Sequence, residues 1–431
     1  MVYDLRSRQR RQAAREYEIM ALPPVRIEHN LRLIGHNNLG AGPNAGEGLA
    51  MKITPEGRRL FYVAHENPPL AMSILDVTDP TRPEIVYQSE VPHDGIRGNS
   101  LAIHGDTLLL AAQSKEPGMQ PAGFTVYDLS DPIQPREVAF FDTSGPHSQG
   151  CHFVSLMDGR YAHITTGAAD FEPNDPRDHQ IYMIVDLQDR ANPREVGRWW
   201  IPGQRKGDPE GPLKRHEPRY DFGYRPHNTL CYPEQPDRVY LGYIDGGIII
   251  LDISDKSKPR QISRVDYHPP FPGFTHTVVP LFGRGLAIVA DEATGDTGAD
   301  WPKLLWMVDV REETNPVIIA TMPSPANFDE FHTIGGRIGA HNIHENDPEP
   351  GSAILKNTVV ATWFSAGIRI YEISDPFRPN EIAAFLPETP AGQRGCRISD
   401  VFVDDRKYIY AADRARGGIY ILEYTGDIPL N

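Results

Sequence analysis

The run Val126-Tyr127-Asp128-Leu129-Ser130-Asp131-Pro132-Ile133-Gln134-Pro135 reads as the end of one strand and the turn into the next. Apolar and polar side chains alternate up to Leu129, the period-two pattern of a strand. Ser130-Asp131-Pro132 is turn chemistry, because Asp side chains bond the backbone ahead of them and Pro fixes φ. Glu137-Val138-Ala139-Phe140-Phe141 then supplies the outer strand of the same hairpin. The unit recurs at Ile74-Leu75-Asp76-Val77-Thr78-Asp79-Pro80, Ile184-Val185-Asp186-Leu187-Gln188-Asp189 and Ile250-Leu251-Asp252-Ile253-Ser254-Asp255. It recurs again at Met307-Val308-Asp309-Val310-Arg311 and Ile370-Tyr371-Glu372-Ile373-Ser374-Asp375-Pro376. Each copy is followed by a Pro: Pro83, Pro135, Pro193, Pro259, Pro316 and Pro379.

The acidic anchors of the six copies are 52, 58, 66, 57 and 63 residues apart. Each interval accommodates four strand-like runs, which is one propeller blade. A seventh anchor, Glu423, follows Glu372 by 51 residues, and there the chain stops one strand short. Val25-Arg26-Ile27-Glu28 or Leu31-Arg32-Leu33-Ile34-Gly35 can supply that strand from the other end. The expected fold is therefore an all-β, seven-bladed propeller over residues 25–431, closed by N- and C-terminal strands in one blade, which leaves no free sheet edge. The repeated unit resembles the LVIVD repeat of bacterial β-propeller proteins over nearly the whole chain after about residue 25. That resemblance implies a fold and leaves function open.

Composition narrows the function classes. The 431 residues carry a formal charge of −15, which argues against nucleic acid as a partner. No apolar run approaches the roughly 18 residues of a membrane span. Three cysteines, Cys151, Cys231 and Cys396, make no disulfide framework. Residues 1–15 are basic but lack an apolar stretch behind them, so no secretory signal is read and a cytoplasmic location is expected. Residues 1–24 are expected to lie outside the propeller. Their helix-compatible part, 6–20, would serve as an arm in a homo-oligomer.

The informative feature lies on the innermost strands, aligned by counting back from the first hairpin turn of each blade. One structural position reads Glu47, Asn99, His152, His227, His276, His341 and Asp400 around the ring. Four of the 16 histidines thus fall in one register on four successive blades. Equivalent positions in a propeller face the same axis, so the four imidazoles are expected to converge on one transition-metal ion. Any one of them alone would be read as strand packing. Neutral imidazoles suit Fe(II), Cu, Ni, Co, Mn or Zn rather than Mg or Ca, and Fe(II) with open positions is the first choice. Glu47 and Asp400 become adjacent when the ring closes, and are candidates for outer acceptors of imidazole N–H groups or for a general base. Solvated channel carboxylates are the plain alternative. Asn99, Arg97 and Arg397 lie near the channel-side strand starts as weaker substrate contacts. The long connections, 203–225 among them, all open on the same face, where sites on rigid scaffolds are usually built.

Three functions follow. A propeller with four axial histidines is similar, in ligand type and architecture, to the carotenoid-cleavage oxygenases, which implies a mononuclear non-haem iron oxidoreductase acting on a small organic substrate. A Lewis-acid metal with an acidic base would instead serve a lyase, isomerase or hydrolase. A non-enzymatic binding or scaffold protein would hold no metal at all.

Overall fold

The computed structural model describes residues 22–40, 44–325 and 335–431. Its strands form seven antiparallel sheets. The first blade is Ala45–Ile53, Arg59–His65, Leu70–Asp76 and Glu84–Glu90, in that order from the channel outward. The inner strands of successive blades lie side by side. Ala45–Ile53 neighbours Leu101–His104, then come Cys151–Ser155, Pro226–Leu230 and Thr275–Leu281. Ile398–Val403 of the seventh blade neighbours Ala45–Ile53 again, so the sheets run round a ring. Among the described residues no helix is long and apolar enough to cross a membrane.

The repeated acidic residue works as its turn chemistry requires. Asp76, Asp128, Asp186, Asp252, Asp309 and Glu372 each accept the backbone N–H two residues ahead. The second acidic residue of the unit, from Asp79 to Asp375, does the same for the next turn. Two successive Asx turns thus fold the chain from the third strand of a blade to the fourth. Just before the anchor a β-bulge interrupts the pairing in six blades, as between Val126 and Tyr127 or Ile250 and Leu251.

Both N-terminal candidates are strands, and each takes a different sheet. Leu31–Asn37 pairs with Gly418–Tyr424, with Leu31 opposite Tyr424 and Leu33 opposite Leu422, as the fourth strand of blade seven. Val25–His29 pairs instead with Asn380–Pro387 on the outside of blade six. Blade six needs no such strand for its count, because residues 341–345 already form its inner edge. That edge is irregular: His341 N–H donates to the Thr362 carbonyl at 3.1 Å, and Ile343 bridges Ala361. The largest apolar cluster runs from blade three to blade seven and includes Leu31 and Leu33. The extension expected over residues 1–24, with its helix-compatible part 6–20, lies outside the described residues apart from 22–24.

Candidate metal centre in the channel

The four histidines reach the channel because the inner strands are bulged where they sit. In blade three the pairing steps from Cys151 opposite Thr166 to Phe153 opposite Thr165, so His152 is the extra residue. In blade five it steps from Thr275 opposite Asp291 to Thr277 opposite Ala290, which leaves out His276. Blade four has the same irregularity between Pro226 and Thr229, around His227. A bulge bends its strand and re-aims the extra side chain. His341, on the irregular edge of blade six, completes an arc. Neighbouring ring centroids lie 4.3, 3.7 and 4.4 Å apart from His152 through His227 and His276 to His341.

The hydrogen bonds fix how each ring is presented. His152 Nδ1–H donates to Gln113 Oε1 at 2.8 Å, and the same oxygen accepts from Arg97 Nε at 2.9 Å. Asn228 gives its amide N–H to Glu345 at 2.7 Å, so its oxygen is what His227 Nδ1–H meets at 3.0 Å. Thr277 donates its hydroxyl to Asn342 and accepts from His276 Nδ1–H at 2.6 Å. The backbone carbonyl of Ser399 accepts from His341 Nδ1–H. With Nδ1 protonated in all four rings, every Nε2 carries a lone pair, and these face the channel. Burial, reinforced by neighbouring imidazoles, holds His152 and His227 well below the ordinary imidazole range and lowers His341 as well.

Nε2 of His152 and Nε2 of His227 are 2.8 Å apart. With no proton between them this contact is repulsive, and a shared cation resolves it. Two imidazole nitrogens bound side by side to one ion at about 2.1 Å stand roughly 3 Å apart. Among the described residues the buried Nε2 atoms of His276 and His341 have no hydrogen-bond partner.

Two carboxylates complete the donor set. Glu47 lies 3.9 Å from His152 Nε2, 3.5 Å from His276 Nε2 and 3.4 Å from His341 Nε2. Glu292 lies 3.9 Å from His227 Nε2 and 3.6 Å from His341 Nε2. Among the described residues, three groups here bring ligand atoms within 4.8 Å of one another: Glu47 with His276 and His341, Glu47 with His152 and His227, and Glu292 with His227 and His276. Burial works to raise Glu47, but the Arg414 guanidinium beside it outweighs this and holds it well below the usual carboxylate range. Burial likewise opposes the Glu292 charge, and the Arg337 guanidinium helps to hold it below the usual carboxylate range. Arg414 donates to Glu47, and Arg337 to Glu292 at 2.8 Å.

Glu47 therefore stands on the Nε2 side, as a ligand candidate, while the imidazole N–H groups go to Gln113, Asn228, Thr277 and Ser399. Asp400 lies apart from the arc. It lines a small chamber with Glu47, Ser155, Glu345 and Asp347. Burial and the neighbouring Glu345 push Asp400 well above the usual carboxylate range. Asn99 is buried with both amide atoms unpartnered, and its carbonyl accepts from the Glu47 N–H. Arg97 is engaged by Glu66 and Gln113 at the rim of the arc. Arg397 is further out, 3.6 Å from Asp296.

Glu66, Glu292 and Arg414 were not singled out from sequence. A second register would have found them: each directly follows the second strand of its blade, after His65, Asp291 and Asp413. Gln113 and Asn228 have no such signal.

Residues 237–267 match the LVIVD repeat family. No curated protein matches the chain. Among solved structures, the periplasmic gluconolactonase PpgL of Pseudomonas aeruginosa is similar at 12% identity and a TM-score of 0.52, over 94% of this chain and 100% of that one. A putative 6-phosphogluconolactonase from Bacteroides uniformis is similar at 14% identity and a TM-score of 0.52, over 84% and 98%. The Cps50 (Swd1) β-propeller domain of Myceliophteria thermophila is similar at 13% and 0.52, over 88% and 99%. At these identities the likeness is one of fold alone.

Proposed function

We propose that this chain is a metal-dependent enzyme whose channel holds one transition-metal ion, Fe(II) by preference, and acts on a small organic substrate. The observation that carries this reading is the arc of four imidazoles, each with a protein oxygen within hydrogen-bond distance of Nδ1, which leaves Nε2 for a ligand beside Glu47 and Glu292. Metal-ligating histidines are oriented in this way by their outer partners. When bound, Fe(II) with open coordination positions supplies dioxygen chemistry, and His and carboxylate donors suit it. Gln113, Asn228, Thr277 and the Ser399 carbonyl hold the rings in place. Arg414 keeps Glu47 ionised, and among the described residues Glu47 Oε2 has no hydrogen-bond donor. That free, ionised oxygen favours a second reading, a Lewis-acid metal with Glu47 as proton acceptor in an isomerase, lyase or hydrolase.

The test is elemental analysis of protein purified without a metal-affinity tag. The expected result is about one equivalent of iron per chain, lost in His341→Ala. Gln113→Leu, which removes only an outer partner, should weaken metal affinity roughly 10–100-fold. Oxygen consumption on turnover separates the two chemistries. Metal-free protein, or metal content indifferent to all four histidines, would leave a non-enzymatic scaffold.

A further inference from the structure

A cavity of about 270 Å³ opens on the other side of the imidazole arc from Asp400. Four arginines line it, Arg97, Arg225, Arg337 and Arg414, against three glutamates, Glu47, Glu66 and Glu292. Three of the arginines are spoken for: Arg97 by Glu66, Arg337 by Glu292 and Arg414 by Glu47. Arg225 differs. Among the described residues no carboxylate lies within ion-pair distance of it. One terminal nitrogen donates to the backbone carbonyls of Arg177, at 3.1 Å, and Phe222. Those two carbonyls are neutral. They fix the plane of the guanidinium without an ion pair, the carboxylates that act on it, Asp245, Asp178 and Glu292, standing beyond ion-pair distance, and among the described residues its Nε edge and other terminal nitrogen are unspent.

We infer that Arg225 is the anchor for an anionic substrate, a small organic acid whose carboxylate pairs with the guanidinium while its other end reaches the imidazole arc. Arg225 stands two residues before His227 on the same chain segment, so the anchor and the metal ligand are rigidly coupled. A planar guanidinium held from one side presents two parallel N–H groups, which matches a carboxylate. The surrounding charges agree, because the lining has one more cation than carboxylates before any metal is added. A divalent ion, which rests on the reading proposed above, makes the space more positive still. A cavity so lined selects a small charged ligand over a long apolar one.

The test is calorimetric titration of the full chain at constant ionic strength with malonate, inorganic phosphate and the neutral malonamide. Malonate should bind, and malonamide should not. Arg225→Gln should lose roughly thirty-fold or more in malonate affinity, the usual effect of removing one member of a buried charged pair. Arg225→Lys, which keeps the charge without the fork, should recover part of it, and circular dichroism checks that both variants fold. Metal content is measured on the same samples and should be unchanged in both. Equal malonate affinity in Arg225→Gln, binding of malonamide as tight as malonate, or binding of phosphate alone overturns the assignment. Arg225-dependent malonate binding to a chain without metal supports the anchor and removes the metal enzyme.

Discussion

Three residues after His341, His344 brings the same side chain to a different end. Its Nε2–H donates to the Ala353 carbonyl at 2.7 Å, and its Nδ1 accepts from the Val403 N–H at 3.2 Å. Both nitrogens are spent inside the protein, so this histidine ties the chain segment before blade seven and has no lone pair left for a ligand. Burial holds its pKa down to about 4. The unfolded chain takes up this proton near the ordinary value of about 6.5, and the folded chain does not. Stability from His344 is therefore complete above about 6.5 and is lost as the pH falls toward 4. Over that window it adds a slope of up to about 1.4 kcal/mol per pH unit. Glu345 and Asp347, raised by burial to about 8 and about 7, act with the opposite sign. Comparison with His344→Gln isolates the histidine. In urea denaturation, that variant should show a shallower loss of stability between pH 6.5 and 4. Equal slopes would mean that His344 is charged in the folded state.

At the scale of the strand, the hairpin repeat was legible and the bulge was not. Asp, Ser and Pro act on the backbone within two residues of themselves, so the turns of every blade can be read from local sequence. The bulges at His152, His227 and His276 depend on a neighbouring blade, which no local pattern reports. The column of histidines was visible because the alignment counted residues back from the turn, and every blade carries its irregularity at a similar depth. Two acceptors of the Nδ1–H groups were hidden, since Gln113 and the Ser399 carbonyl come from other blades. Gly242 shows the coupling between blades. A Cβ there would stand 2.1 Å from the carbonyl oxygen of His276 and 2.9 Å from the Thr277 nitrogen, both backbone atoms of the next blade. Gly242→Ala must push the bulge that presents His276. The expected cost is about 1–3 kcal/mol in urea denaturation, together with weakened metal retention against a chelator. Unchanged values for both would show that the blades have slack at this contact.

At the scale of the whole molecule, the two N-terminal strands make unequal contributions that truncation can separate. Removing residues 1–30 takes Val25–His29 from the outside of blade six, which keeps its three regular strands and inner segment. Removing residues 1–37 also strips the fourth strand from blade seven and bares the edge of Gly418–Tyr424. It takes Leu31 and Leu33 out of the largest apolar cluster as well. The second truncation should lower the thermal midpoint several times more than the first, and should add a tendency to associate through the bared edge. Equal midpoints would show that the ring does not depend on that pairing.

The placement of the histidines on consecutive blades has a mechanical consequence. An ion gripped by blades three to six is a clasp across one side of a hoop, stiffening three blade-to-blade joints at once. The seam where the two ends of the chain meet lies in blade seven, outside the clasped arc. As far as the four imidazoles hold it, the ion should harden the clasped side of the hoop and leave the seam unbraced. Under heat or pulling force the hoop would part first at the seam, with the clasped blades still together.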